Sequence, residues 1–401
     1  MAKGDKNVKT QVLDSATAVR VPFLRGILTR SLQAAGLNFN QAYKLATQVR
    51  RELERTPEIS STALRDLLAE RLAERHGDEY RQRYLQRQEA TPSILVRYPG
   101  GNSLPFTPGA MSRSLESAAL PVEQASAVAQ RLLRRLQHDG CSEIDSQQLA
   151  RLVHQDLQLH YGVEAAGRYL VWLEYRRSDR PLILLIGGIN GVGKSTLAAD
   201  LAHRLEIVRT QSTDMLREVM RKMTSKRLLP AIHTSSFRAW HALPTGYAGP
   251  GGGETQVIDG FLTQAEQVGV AMDAVLKRAL SERVAVILEG IHLHPAYMQS
   301  ALPAGDAIVV PFMLAVLDPE QLRQRLRGRA STAPNRRAER YLKSFDVIWQ
   351  LQSYLLAEAD RCHVPIISDW SSVRAVEQAM DMISAVLARR FAGDPKQVLA
   401  S

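Results

Sequence analysis

The stretch LILLIGGINGVGKST, residues 182–196, constrains this chain more than any other. An apolar strand runs into Gly187-Gly188, and Gly193-Lys194-Ser195-Thr196 follows a few residues on. Gly188-x4-Gly193-Lys194-Ser195, with a strand before it and a helix after it, has the pattern of a phosphate-binding loop. Gly188, Gly191 and Gly193 let backbone N–H groups close around a phosphate, with Asn190, Val192 and Thr196 completing the loop. Lys194 is placed to reach the β- and γ-oxygens, and Ser195 to ligate Mg2+. The nucleotide is ATP or GTP.

Such a loop needs a parallel sheet to hold it, and the sequence from Pro181 onward supplies one. Apolar strands at 182–187, 284–290, 306–316 and 364–368 alternate with helices at 194–205, 213–224, 261–281, 336–359 and 371–390. Continuous apolar strands flanked by helices indicate an α/β domain with helices on both faces of the sheet. We bound this domain at 179–395. The Gly- and Pro-rich stretch at 244–256 reads as a loop or an insertion.

The N-terminal part is duplicated. VPFLRGILTRSLQAAGL (21–37) and LPFTPGAMSRSLESAAL (104–120) share PF-x-x-G-x-x-x-RSL at a fixed offset. Ala42, Ala46 and Leu53 then match Ala125, Ala129 and Leu136, Gly77 matches Gly162, and RYL recurs at 83–85 and 168–170. A repeat in register over so many positions predicts two copies of one small, mainly helical module, at 10–88 and 92–178. In the first copy Ala42, Leu45, Ala46, Val49 and Leu53 fall on one helical face. Leu64, Leu67, Leu68 and Leu72 form another, with Ser60 or Ser61 as N-cap and Gly77 as stop. The second copy opens with a hairpin turning at Pro99-Gly100-Gly101.

A formal charge of +10 invites a nucleic-acid partner, but its distribution argues against one. Residues 321–343 carry eight basic side chains against Glu339 alone, and Tyr341 is the only aromatic among them. This is a poor base-stacking surface. An arginine segment downstream of a phosphate loop fits a lid that closes over the triphosphate and keeps water out. Arg325, Arg329, Arg336 and Arg337 are its candidate arginines, with Arg329 counted among the catalytic residues; which of them contacts ATP is left open. The chain has no apolar run long enough to span a membrane. Its first twenty residues lack the apolar core of a secretory signal. With only Cys141 and Cys362, far apart, a cytoplasmic protein is expected.

Two further acids complete the chemistry. Asp214, Arg217 and Arg221 lie on one face of the helix at 213–224, opposite an apolar side of Met215, Leu216, Val219, Met220 and Met223. The carboxylate can orient or deprotonate a hydroxyl while the guanidiniums hold an anionic acceptor. Glu289 ends the strand VAVILEG, where it can orient Mg2+ or its water. His292 and His294 follow, either facing the acceptor or serving the structure.

PLILLIGGINGVGKSTLAADLAHRL, STDMLREVMRK with LLPAIHTSSFRAW, VIDGFLTQAEQV, ILEGIHLHP and ERYLKSFDVIWQLQSYL together resemble the 2-phosphoglycerate kinase family, over nearly all of 181–370. The lead-in VPFLRGILTRSLQAAGL is similar to that family's N-terminal module, itself like the ATP-cone, a small helical nucleotide-binding regulatory domain. The resemblance implies a kinase domain preceded by an ATP-cone-like module, here duplicated into two ATP-cone-like repeats, with ATP and Mg2+ as cofactors and transfer to the 3-hydroxyl of 2-phosphoglycerate. It gives Lys194, Ser195, Asp214 and Glu289 the roles argued above. Two features depart from the family pattern: the doubled module and the 244–256 stretch. They keep open a changed acceptor, an inositol phosphate or another sugar acid, and also a nucleotide-sensing protein with little turnover. Oligomeric state is left open.

Overall fold

The computed structural model describes residues 10–13, 20–23, 25–53, 56–88, 94–244, 253–301, 307–328, 336–368 and 371–400. The chain separates into two compact units, residues 1–93 and 94–401.

In the first unit, β1 (Gln11–Leu13) pairs antiparallel with β2 (Arg20–Pro22) and parallel with β3 (Glu58–Ser60), so Val12 lies opposite both Val21 and Ile59. Between β2 and β3 run α1 (Arg25–Ala34) and α2 (Phe39–Glu52), and after β3 come α3 (Ser61–His76) and α4 (Asp78–Gln88). The expected face of α2 is buried throughout, from Ala42 to Leu53, and packs with Leu32, Leu68, Leu72 and Tyr84. Ser60 caps α3 by accepting a hydrogen bond from the Ala63 amide, 3.1 Å. Gly77, at φ 99°, breaks α3 from α4.

The second copy repeats this plan within the second unit. β4 (Leu95–Arg97) pairs antiparallel with β5 (Ser103–Pro105) and parallel with β6 (Glu143–Asp145). α5 (Pro108–Ser117) and α6 (Val122–His138) lie between β5 and β6, and α7 (Ser146–Arg177) follows. The hairpin turns where expected, with Gly100 and Gly101 at φ 96° and 85°. Gly162, the match of Gly77, has φ 87° and interrupts α7 at the equivalent point. The copies differ in what the last helix meets. Val171 and Trp172 are buried in a core that also contains Leu182, Ile183 and Leu197 of the phosphate-loop domain. Ser117 donates a hydrogen bond to the Arg204 carbonyl across the same junction, 2.5 Å.

The remaining strands are β7 (Leu182–Gly187), β8 (Thr210–Ser212), β9 (Val286–Gly290), β10 (Ile308–Leu314) and β11 (Ile366–Ile367). They form one parallel sheet in the order β11-β10-β7-β9-β8. The helices are α8 (Lys194–Arg204), α9 (Thr213–Met223), α10 (Gly253–Ser281), α11 (Pro295–Ser300), α12 (Pro319–Gly328), α13 (Arg336–Lys343), α14 (Phe345–Arg361), α15 (Ser372–Ala388) and α16 (Pro395–Val398). β7 is central and wholly buried, which is why it carries no polar residue.

Three expectations need correction. The helix predicted at 261–281 begins at Gly253, so the end of the stretch read as a loop at 244–256 is helical, while 245–252 lie outside the described residues. The single helix predicted at 336–359 is two, α13 and α14, separated at Ser344. Helix α9 does not bury a full apolar side. Met215, Val219 and Met223 are exposed, and only Leu216 and Met220 pack against the core. The helix follows β8, an edge strand, so one of its flanks has no neighbouring sheet to cover it.

Candidate active site

The phosphate loop is built from glycines whose replacement the surroundings would not admit. A Cβ on Gly188 (φ 134°) would lie 2.3 Å from the Leu314 carbonyl oxygen, and one on Gly191 (φ 96°) 2.8 Å from the Leu326 side chain. Gly193, in the left-handed region, is the N-cap of α8 and offers no capping side chain. Gly193 thus does not itself cap the first amides of the helix, and a helix N-terminus is where phosphate binding is favoured. Lys194 is buried, and its Nζ donates to the Ile189 carbonyl, 2.7 Å. Asn190 is half-buried, Val192 buried, and Ser195 and Thr196 exposed at the start of the helix.

Sheet register delivers the acid. Ile186 lies opposite Glu289, so the end of β9 sits beside the loop that leaves β7. Ser195 Oγ donates to Glu289 Oε1 at 3.0 Å, which brings together a hydroxyl and a carboxylate suited to a hard cation. Of the arginine segment, Arg325 meets the loop, donating to the Val192 carbonyl at 3.0 Å. Partial burial lowers its pKa from the usual guanidinium value. Arg329 lies outside the described residues. Arg336 and Arg337 stand in α13, their side chains outside the described part.

Apart from the phosphate loop, a cavity of about 270 Å3 is lined by Arg217, Arg221, His233, Thr234, Ser235, Phe237, Arg340 and Tyr341. Among the described residues three arginines and no carboxylate line it. Arg217 reaches Asp214 at 3.8 Å and donates to the Thr234 carbonyl. Its Nε is buried and has no hydrogen-bond partner among the described residues, a donor that an anionic oxygen would satisfy. Arg340 donates to Ser235 Oγ at 3.0 Å, and its guanidinium lies 5.7 Å from the centre of the Phe237 ring. The wall holding Ser235 and Phe237 is the 3-10 segment Ser236–Ala242 with the residues before it, packed against α10. Gly260 permits that approach, since a Cβ there would lie 2.2 Å from the Trp240 nitrogen.

The structure thus gathers Lys194, Ser195, Glu289 and Arg325 at the phosphate loop, and Asp214, Arg217 and Arg221 at the neighbouring helix. Sequence reasoning did not single out His233, Ser235, Phe237, Arg340 or Tyr341. The signal available was weak: LLPAIHTSSFRAW is conspicuous for its polar and aromatic mix, and Arg340 was one arginine among many. His292 is not a wall residue of this cavity. Its ring is buried, with Nδ1 2.8 Å from Thr213 Oγ1 and Nε2 3.1 Å from Gln264 Oε1. Burial pushes its pKa down to about 4, opposed by Asp214 and reinforced by Arg217 and Lys194. His294 is half-buried, with Nε2 3.1 Å from the Tyr354 hydroxyl, and it does not line this cavity either. No helix among the described residues is long and apolar enough to cross a membrane.

A family model described as an AAA domain matches residues 182–348. The 2-phosphoglycerate kinase of Methanopyrus kandleri is 34% identical over 285 residues, covering 71% of this chain and 85% of that protein. The 2-phosphoglycerate kinase of Thermococcus kodakarensis is 38% identical over 267 residues, covering 66% and 88%. Among solved structures, shikimate kinase from Acinetobacter baumannii in complex with shikimate matches 53% of this chain and 95% of its own, at 19% identity and a TM-score of 0.29.

Proposed function

The chain belongs to the 2-phosphoglycerate kinase family, and from that premise we propose that it transfers the γ-phosphoryl group of ATP to the 3-hydroxyl of 2-phosphoglycerate, giving ADP and 2,3-bisphosphoglycerate. The observation that carries the acceptor is the arginine-lined cavity, with an Arg217 Nε that has no hydrogen-bond partner among the described residues. It asks for a small molecule with more than one anionic group. At about 270 Å3 it falls just below the usual size of ligand pockets, about 300–1,000 Å3. That size favours a three-carbon phosphate over a highly phosphorylated inositol.

In this reading the backbone amides of the phosphate loop and Lys194 hold the β- and γ-phosphates. Arg217, Arg221 and Arg340 bind the phosphate and carboxylate of the acceptor and so fix its free hydroxyl. Asp214 takes the hydroxyl proton as the new O–P bond forms and the bond to the β–γ bridging oxygen breaks. Arg325, at the loop, adds positive charge on the donor side. Ser195 and Glu289 would hold Mg2+, which when bound neutralises charge on the phosphate oxygens. The chain's own contribution is mainly positioning and charge compensation.

We take 179–395 as the catalytic domain, with the copies at 10–88 and 92–178 as accessory modules. The free thiols Cys141 and Cys362 suit a cytoplasmic location. The test is to incubate the protein with MgATP and 2-phosphoglycerate and identify the product by phosphorus NMR, with Lys194→Ala as control. Appearance of 2,3-bisphosphoglycerate, lost in the variant, supports the assignment. No product from protein that binds ATP sinks the acceptor, and full turnover by Lys194→Ala sinks the kinase site.

A further inference from the structure

We propose that His292 is the positioning residue of the acceptor side, tying helix α9, and with it Asp214, to the loop that walls the acceptor cavity. The proposal rests on the kinase reading above and assigns His292 a task short of touching substrate.

The protonation pattern follows from the neighbours. The Gln264 amide nitrogen donates to the Ala231 carbonyl at 2.6 Å and to the Thr234 carbonyl at 3.2 Å. Turning the amide over would set its oxygen against both carbonyl oxygens, so Oε1 must be the atom facing His292 Nε2. An amide oxygen only accepts. Nε2 therefore carries the proton, and Nδ1 is left bare to accept from the Thr213 hydroxyl at 2.8 Å. Ser236 Oγ, 3.3 Å from Nε2, receives a weaker share. Burial keeps the ring uncharged, as this pattern needs.

Each partner sits at a decisive place. Thr213 is fully buried and immediately precedes Asp214. It also presses on the end of β9: a Cβ on Gly290 would lie 1.8 Å from Thr213 Oγ1, so only glycine admits it after Glu289. Gln264 holds the Thr234 carbonyl, which also receives Arg217. One imidazole thereby links the strand end bearing Glu289, the helix bearing Asp214 and Arg217, and the loop at 231–236. In-line transfer needs these groups in register, and a displacement of about 1 Å costs on the order of a hundredfold in rate.

The experiment compares Thr213→Val, which keeps the volume and removes the hydroxyl, with Thr213→Ser, which keeps the hydroxyl, in the full-length chain. Thr213→Val should lower kcat/KM for 2-phosphoglycerate on the order of a hundredfold while KM for ATP stays within about twofold. Thr213→Ser should restore most of the loss. Wild-type kinetics in Thr213→Val, or KM for ATP rising in parallel, would overturn the proposal. Nitrogen NMR of the wild-type imidazole gives a readout independent of turnover and of how the variants fold. The Nε2-protonated tautomer at neutral pH supports the network, and the Nδ1-protonated form or a charged ring overturns it. If the wild type does not phosphorylate 2-phosphoglycerate, the acceptor assignment fails by itself and the spectrum still decides the network.

Discussion

Ser195, one residue into helix α8, donates its hydroxyl hydrogen to Glu289 at the end of β9, over 3.0 Å. The two oxygens converge because β7 and β9 are adjacent parallel strands with Ile186 opposite Glu289. In the proposed reading this pair is the protein's contribution to a Mg2+ site. Glu289→Gln should raise the Mg2+ concentration needed for half-maximal rate about 10- to 100-fold, and Ser195→Ala should act in the same direction. The double variant should lose less than the product of the two, since the residues act as one unit. Initial rates titrated with Mg2+ would check this, and unchanged Mg2+ dependence in Glu289→Gln would remove the carboxylate from the site.

The arginines of the cavity should separate acceptor from nucleotide. A hydrogen bond to a charged group is worth about 1.5–3 kcal/mol, so replacing Arg217, Arg221 or Arg340 by Ala should raise KM for 2-phosphoglycerate by roughly 10- to 100-fold. Arg217 should be the most costly of the three, being the least exposed. KM for ATP should be nearly unaffected. A change in KM for ATP alone would move these side chains to the donor side.

His292 gives an acid limb to stability. Its ring is neutral in the folded state with a pKa of about 4, whereas in the unfolded chain the value is about 6.5. Between these values the unfolded state binds more protons, so stability rises with pH across that window and falls as pH is lowered through it. The loss at pH 4 is on the order of 3 kcal/mol, about the free-energy equivalent of the shift. Denaturant titrations at several pH values should show this decline in the wild type and a shallower one in His292→Gln. Parallel curves for the two proteins would contradict it.

Gly77 and Gly162 test the duplication by a property of the backbone. Both combine a positive φ with ψ of 160° and 174°, a region open essentially to glycine alone. Space is not the obstacle, because a Cβ at either position meets no atom within 4 Å. Alanine at either site should cost about 1–3 kcal/mol through backbone strain. Equal stability of Gly162→Ala and the wild type in urea would argue that the break in α7 is not fixed by this residue.

What was legible in the sequence was what is local. The phosphate loop, the strand leading into it and the paired glycines at 77 and 162 each declare themselves within a few residues. Glu289 was found because a strand end is a local signal as well. The arginine-lined cavity was not, because its wall comes from three separate segments, around 217–221, 233–237 and 340–341, brought together by tertiary packing that includes the 3-10 segment on α10. β8 escaped notice because an edge strand of sequence TQS has no apolar run. His292 carried no local sign of its partners, since Thr213 and Gln264 are distant in sequence.

The unequal fate of the two copies has a thermal consequence. The first keeps a core of its own, around Leu32, Leu45 and Leu72, while the second has Leu120, Val171 and Trp172 in one core with the central strand of the kinase sheet. Cooperative melting follows shared cores rather than shared ancestry. A calorimeter should therefore resolve the chain into one transition for residues 1–93 and another in which the second copy and the catalytic domain lose their structure together. Nucleotide bound at the phosphate loop would then shift the melting of the second copy along with the enzyme and leave that of its twin where it was.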